Sequence, residues 1–425
     1  MSAKITALGN GAQGVFVRND RFNTTLISFN FYMPLSKETV AENALLPFVL
    51  TTCSKQYPNF SRLNYKLSKL YGAELSASAE KVGDFQLLKV AVSVIDDRYT
   101  LDNEPLLSQA VELLTSLVFE PKAENGAFCE LDVEREKRKA IEHIRGELSE
   151  KRVYARRRLV QEMFKGKPYG VSKCGTEQSV KAITGESLYT AWERLLSQAF
   201  LRVNVISRSL PAGLFDNITA RLSGINRENV TDFQKSAPTR KATSVKTVEE
   251  RMDVAQGKLC MGFSSRIYGG GEKTAPLTVM CDILGGGPYS RLFTNVREKM
   301  SLCYYCAASA VKVKGFIMVD SGVETQNADR AQEAILEQLD VVKAGGFTDF
   351  EFESSKKSIV DSLKSYNDSQ AALDIWYSVK AASDNLASPE DTAEHIMAVT
   401  RKQVVDAANG VHLHTVYRLL PKESK

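Results

Sequence analysis

At 425 residues, 43% of them hydrophobic and 25% charged, the chain has the length of two to three ordinary domains and enough apolar side chains to give each a core. Lys plus Arg number 55 against 51 Asp plus Glu, a near balance that offers no electrostatic case for nucleic acid or an anionic membrane as the main partner. Seven cysteines scattered at 53, 129, 174, 260, 281, 303 and 306 form no disulfide framework, and no stretch supplies the ~20 apolar residues that span a bilayer, so reduced thiols and a cytoplasmic location are expected.

The N-terminus, MSAKITALGNGAQGVFV, has no apolar run of signal-peptide length. GNGAQG, at 9–14, matches the glycine spacing of a dinucleotide fingerprint, but a strand-like VFVRND follows where a helix would have to hold the pyrophosphate. A turn is predicted there instead. TTLISFNFYM reads as a strand, and AENALLPFVLTTCSKQYPNF, at 41–60, as the front of an amphipathic helix running into a turn, with no residue placed for chemistry. ELSASAEKVGDFQLLKVAVSVI is strand-like and LDNEPLLSQAVELLTSLVF helical. From 130 to 160 one long packed helix is predicted: EREKRK interleaves both charges on a solvated face, while Leu131, Ile141, Ile144 and Leu148 supply an apolar stripe.

LRVNVISRSL closes this first run of elements, and INRENVTDFQKSAPTRKATSVKTVEER, poor in apolar residues, reads as a linker. The expected division is a first domain at 1–222, a linker at 223–250 and a second domain at 251–425. The second part repeats the order of the first: strand KLCMGFSS, helix TAPLTVMCDILG, strands YYCAASAVKV and GFIMVDSGV, helices from 326 to about 385, and a last strand VHLHTVYRLL. Sliding the chain by 231 lays SASAEKVGDF (76–85) on AASAVKVKGF (307–316), with Ser78 over Ser309, Lys81 over Lys312 and Phe85 over Phe316. The predicted fold class is α+β: two duplicated halves, each a mostly antiparallel sheet with helices packed on it.

Few motifs carry chemistry. The four histidines, His143, His395, His412 and His414, include no pair four apart, so no helix presents paired imidazoles to a metal. His412 and His414 would share one face of the last strand and could in principle hold a metal, a solvated strand face being the commoner outcome. CYYC, at 303–306, has no second cysteine pair, and strand residues three apart point to opposite faces, which predicts two core thiols. The informative segment is LGGGPYSRLFTNVREKMSLCYYC, at 284–306: glycines, a short helix bearing Arg297, then a strand opening at Tyr304. It places a planar guanidinium and a phenol where both could converge on a carboxylate or carbonyl. The bland reading is a surface arginine and a core-edge tyrosine.

This segment closely resembles the second half of the insulinase (pitrilysin) family of zinc peptidases, in the branch of the mitochondrial processing peptidase and its bacterial relatives. There an Arg and a Tyr seven apart hold the substrate backbone, and Arg297 and Tyr304 match at that spacing, behind glycines at Gly285, Gly286 and Gly287. The resemblance covers the whole chain and implies two duplicated halves closing like a clamshell around peptide. It also implies H-x-x-E-H in the first half, two zinc-binding His and a general-base Glu. Anchored on Tyr57-Pro58, that motif falls on Ala44-Leu45-Leu46-Pro47-Phe48, with Ala44 and Phe48 at the ligand positions and Pro47 at the base. The family's third ligand falls near Glu142 or His143.

The resemblance therefore implies a chain that holds no zinc itself and serves as the substrate-binding member of a heterodimer, the partner supplying H-x-x-E-H and zinc. DRFNTTLISFNFYMPL, ENALLPF and LYGAELS are similar to the non-catalytic bacterial subunits associated with the 5-aminopentanol modification of elongation factor P. The long glycine-rich insertion of the mitochondrial non-catalytic subunit is absent, so presequence binding does not transfer. The alternative is a structural protein of the same fold, like the core subunits of the respiratory cytochrome complex, which would have no use for the Arg297 and Tyr304 pair.

Overall fold

A computed structural model describes residues 3–9, 11–227, 229–233, 236–381 and 386–422. Its first sheet is built from β1 (Ala3–Gly9), β2 (Ala12–Arg18), β3 (Thr24–Pro34), β4 (Glu74–Val82), β5 (Phe85–Ile95) and, after the short hairpin β6 (Ala123–Glu124) and β7 (Ala127–Phe128), β8 (Phe200–Ser207). The spatial order is β1-β2-β8-β3-β5-β4, antiparallel except for the β2–β8 pair. Within GNGAQG, Gly9 ends β1, Gly11 lies in a turn and Ala12 opens β2, and Gly9 and Gly11 take the positive φ that glycine tolerates; Asn10 lies outside the described residues. The helices in this stretch of the chain are α1 (Val40–Leu50), α2 (Phe60–Lys69), α3 (Leu106–Phe119), α4 (Glu130–Ser149), α5 (Lys151–Met163), α6 (Glu177–Lys181), α7 (Gly185–Gln198) and α8 (Asp216–Ser223).

The second sheet contains β9 (Lys246–Met252), β10 (Gly257–Ser265), β11 (Cys303–Val311), β12 (Phe316–Val323) and β13 (Val411–Pro421), in the order β11-β12-β10-β13-β9. Only the β13–β9 pair is parallel. The helices in this stretch of the chain are α9 (Ala275–Gly285), α10 (Ala328–Lys343), α11 (Asp349–Ser365), α12 (Gln370–Lys380), α13 (Pro389–Met397) and α14 (Arg401–Asn409). Both sheets end in a like hairpin, β4–β5 and β11–β12, with β4 and β11 at the edge. The 231-residue match falls on these hairpins: Ser78 and Ser309 sit in the edge strands, Phe85 and Phe316 open the inner ones. The architecture is α+β, as predicted. No helix among the described residues is long and apolar enough to cross a membrane.

Two expectations about elements need correction. The helix predicted from 130 to 160 breaks at Glu150, whose backbone is extended and whose side chain accepts the Arg152 N–H, so that α5 starts as a new helix. The supposed linker runs into β9, an edge strand alternating half-buried and exposed residues; so polar a strand leaves no apolar run for a sequence reading to find.

By contact, the chain divides into one unit of Met1–Arg145, Val171–Lys235 and Asn367–Ala382 and another of Gly146–Gly170, Ser236–Tyr366 and Ser383–Lys425. The units are thus interleaved in sequence, where contiguous halves at 1–222 and 251–425 were expected. The packing explains why. In β3, Ile27, Phe29, Phe31 and Met33 point to one face and join the apolar core with Leu45 of α1 and Leu114 of α3. The alternate residues Ser28, Asn30 and Tyr32 face α12: Ser28 donates to Asp374 at 2.6 Å, and Tyr32 donates to the Ser378 carbonyl at 2.7 Å. Lys89 of β5 pairs with Asp374 at 2.5 Å, both buried. In the other unit, Ala155, Leu159 and Met163 of α5 pack on Cys260, Phe316, Met318 and Tyr417 of the second sheet. Arg152 of α5 also reaches buried Asp320 of β12 at 2.6 Å.

Candidate functional site

In the first unit, α1 carries Ala44, Pro47 and Phe48. Pro47 is buried and brings neither a backbone N–H nor a proton-transferring group. Ala44 is buried, whereas Phe48 remains 39% exposed, and the two line a cavity of about 320 Å³ with Ala79 of β4, Glu136 and His143 of α4 and Val180 of α6. Apolar packing has therefore not filled the space where the family's motif would stand.

Of the two residues expected near the third ligand, His143 lines this cavity and Glu142 does not. Sequence reasoning missed Glu136. It lies one heptad before His143, hence on the same helix face, and that spacing is the signal that could have found it. Glu136 is 5% exposed and its carboxylate is engaged by Arg135 at 3.2 Å and Lys139 at 2.9 Å. Glu80, elsewhere on the wall, pairs with Lys173 at 2.9 Å. A catalytic zinc needs about three protein ligands and an open position. Among the described residues no three His, Cys, Asp or Glu side chains converge for a metal, so this site does not fit the family's zinc.

In the second unit, α9 ends at Gly285, and the three glycines serve packing. A Cβ on Gly285 would lie 2.6 Å from the Ala308 nitrogen, and one on Gly286 would collide with the Asp282 side chain. None of Gly285, Gly286 and Gly287 lines the depression that follows. Leu292–Lys299 then forms a π-helical turn, a wide and rare conformation often found at functional sites. Ser301 turns the chain with a φ of 51° into β11. There the pairing runs Cys303 to Val323 but Tyr305 to Gly322, so Tyr304 is an extra residue in a β-bulge, the kind of irregularity that re-aims a side chain.

The outcome is that Arg297 and Tyr304 line one depression of about 390 Å³ with Glu298, Cys303, Glu324 and Asn327. Tyr304 is 59% exposed, and its hydroxyl donates to Glu324 at 3.2 Å. That carboxylate holds the phenol protonated above its ordinary range. Arg297 lies over the Phe293 ring at 4.4 Å and stands 3.5 Å from Glu298. Both donors thus have exposed, exchangeable partners.

Two predictions about strand faces fail, each because of a bulge. With Tyr304 looped out, Cys303 pairs with Val323 and Cys306 with Ser321, two residues apart, so the thiols share a face rather than pointing oppositely. In β13, Leu413 pairs with Phe263 and Thr415 with Gly262, which skips His414 and breaks its alternation with His412. Burial lowers the pKa of both imidazoles, and different cations add to it: Lys241, Arg266 and Lys343 at His412, Lys167 and Lys246 at His414. Such surroundings repel a metal.

Residues 182–359 match the family described as the Peptidase M16 inactive domain. Over 415 residues the chain is 31% identical to a Bacillus subtilis protein named probable inactive metalloprotease YmfF, covering 96% of each. A conserved protein from Enterococcus faecalis has a similar structure, with a TM-score of 0.89 at 24% identity over 100% of this chain and 99% of that one. A Pseudomonas fluorescens structure described as a peptidase M16 inactive domain gives a TM-score of 0.78 at 16% identity over 100% of both chains.

Proposed function

The chain belongs to the insulinase (peptidase M16) family as an inactive homologue, and on that premise we propose that it is the substrate-binding subunit of a heterodimeric zinc peptidase. The partner carries H-x-x-E-H and the zinc, and supplies the bond-breaking chemistry. This chain supplies peptide-holding donors. The observation that carries the reading is the joint exposure of Arg297 and Tyr304 in one depression, where a π-helical turn and a bulge present them side by side. Arg297 offers a planar fork able to make two hydrogen bonds to peptide carbonyls, and Tyr304 a single hydroxyl donor. The bond from Tyr304 to Glu324 and the contact of Arg297 with Glu298 are both at the surface and readily exchanged for a peptide. The free edge of β4, beside the cavity at Ala44, suits an extended segment, which adds to a sheet by main-chain hydrogen bonds.

The test uses the assembled complex. Arg297→Ala and Tyr304→Phe each remove hydrogen bonds to a partly shielded peptide, worth about 1–3 kcal/mol, so the partner's kcat/KM should fall roughly tenfold to a hundredfold with the complex intact by native mass. Arg297 should matter more, having two bonds to lose. Unchanged activity in an intact complex would remove the holding role and leave a structural one.

A further inference from the structure

The bulge at Tyr304 creates a feature that the peptide-holding role does not use. Three steps along β11, from Cys303 to Cys306, are spanned by only two along β12, from Val323 to Ser321. The two cysteine Cα atoms are therefore about 6.7 Å apart, two strand rises, where a regular strand would separate them by roughly 10 Å. Disulfides form at Cα separations of about 4.4–6.8 Å, so the bulge brings the pair just within reach and on one face. Cys303, 9% exposed, lines the depression of Arg297 and Tyr304, and Cys306, 6% exposed, does not.

We propose that Cys303 and Cys306 form a redox-modified thiol pair, in which a peroxide oxidises Cys303 and Cys306 resolves it to a disulfide within β11. This depends on the bulge and on access through the depression, and not on the peptide-holding role. The environment divides the labour. The hydrogen bond with Cys306 lowers the pKa of Cys303, and Ser321 and the Arg297 guanidinium reinforce this against burial. The same contact together with burial keeps Cys306 protonated. Cys303 is thus the attacking sulfur and Cys306 the resolving one.

In the first step the Cys303 sulfur attacks one oxygen of hydrogen peroxide and the O–O bond breaks. The other oxygen leaves as hydroxide and takes the proton that the Cys303 thiol gave up, forming water and a Cys303 sulfenic acid. The Cys306 sulfur next attacks the Cys303 sulfur, the S–O bond breaks, and the hydroxyl departs as water with the Cys306 proton. Two thiols have given two electrons to one peroxide, yielding a disulfide and two waters. Closing the bridge draws Cys303 inward against the bulge, which displaces Tyr304, and a dithiol reductant reverses it.

Trypsin isolates both cysteines in the peptide spanning Met300–Lys312, between Lys299 and Val313. The full chain is treated with about one equivalent of hydrogen peroxide, alkylated and mapped by mass spectrometry, exposed Cys129 serving as the internal reference. The expected result is that this peptide loses two hydrogens and both alkylation sites while Cys129 remains alkylated, and that dithiothreitol restores them. In Cys306→Ser the oxidised Cys303 should persist as a sulfenic acid captured by dimedone. Full alkylation of Cys303 and Cys306 after Cys129 has been oxidised, or dimedone capture at Cys129 alone in Cys306→Ser, would overturn the proposal.

Discussion

Three residues of α1 offer neither a metal ligand nor a general base, and a fourth, on α4, is already engaged by cations. The resemblance lays H-x-x-E-H over α1 with Ala44, Pro47 and Phe48 at two ligand positions and the base, and Glu136 has its carboxylate already bound to Arg135 and Lys139. Ala44→His, Pro47→Glu and Phe48→His together should therefore give a chain with weak zinc affinity and no efficient peptidase activity. A working site needs its ligands held to a fraction of an ångström by supporting hydrogen bonds, and freeing Glu136 would take its carboxylate from Lys139 and leave Arg135 with Asp132 alone. Zinc titration and a peptide-cleavage assay on the triple variant check this; substantial turnover would show that the cavity has kept its ligand geometry. At this scale the missing motif was legible, because it needs only residue identities. Glu136 was not, because a long charged helix offers several acids and only the packing tells which one faces α1. The shared face of Cys303 and Cys306 was hidden for a related reason: a bulge inverts the alternation without leaving a distinctive residue type.

Between elements, the most instructive contact is that of α12 with the first sheet. Asp374 accepts hydrogen bonds from Ser28 at 2.6 Å and Asn204 at 2.7 Å while pairing with Lys89, all in a buried setting. Asp374→Ala leaves the Lys89 ammonium buried without a counter-charge, which costs about 3–5 kcal/mol, and denaturant unfolding should report it as a lower midpoint. Adding Lys89→Met should recover part of that loss, so the double variant is less destabilised than the single changes summed. Additive losses would show that the pair is not coupled. The sequence displays α12 as a helix and displays β3 as alternating apolar and polar, but nothing in it joins the two. Ser28, Asn30 and Tyr32 look like a solvated strand face until Asp374 and Ser378 are set against them. The break at Glu150 was concealed likewise, since a charge-dense run favours helix on both sides of it.

For the molecule as a whole, the duplication was the part most open to reading, because the matched hairpins carry it in ten contiguous residues at the same edge of each sheet. The interleaving of the two units was closed to it: which sheet a helix joins depends on complementary faces far apart in the chain. The same limit applies to metal. A spacing argument leaves His412 and His414 as a possible strand-face pair, and only the three-dimensional setting opposes it, with His414 in a bulge and cations near both rings. Zinc bound there would have to displace no proton, since lowered pKa values favour the neutral imidazoles, yet it would bring two positive charges beside Lys241, Arg266 and Lys343 at His412 and beside Lys167 and Lys246 at His414, where Glu162 is already taken by Lys246 at 2.7 Å. The full chain, purified without chelator and without a metal-affinity tag, should therefore carry only trace zinc by elemental analysis and gain no thermal stability from added zinc, because a ligand that binds the native state must raise its midpoint. About one tightly held zinc per chain, lost in His412→Ala or His414→Ala, would contradict this and place a metal centre on β13. If the zinc were instead lost in His143→Ala, the cavity at Ala44 would have kept a metal site despite the pairing of Glu136 with Arg135 and Lys139.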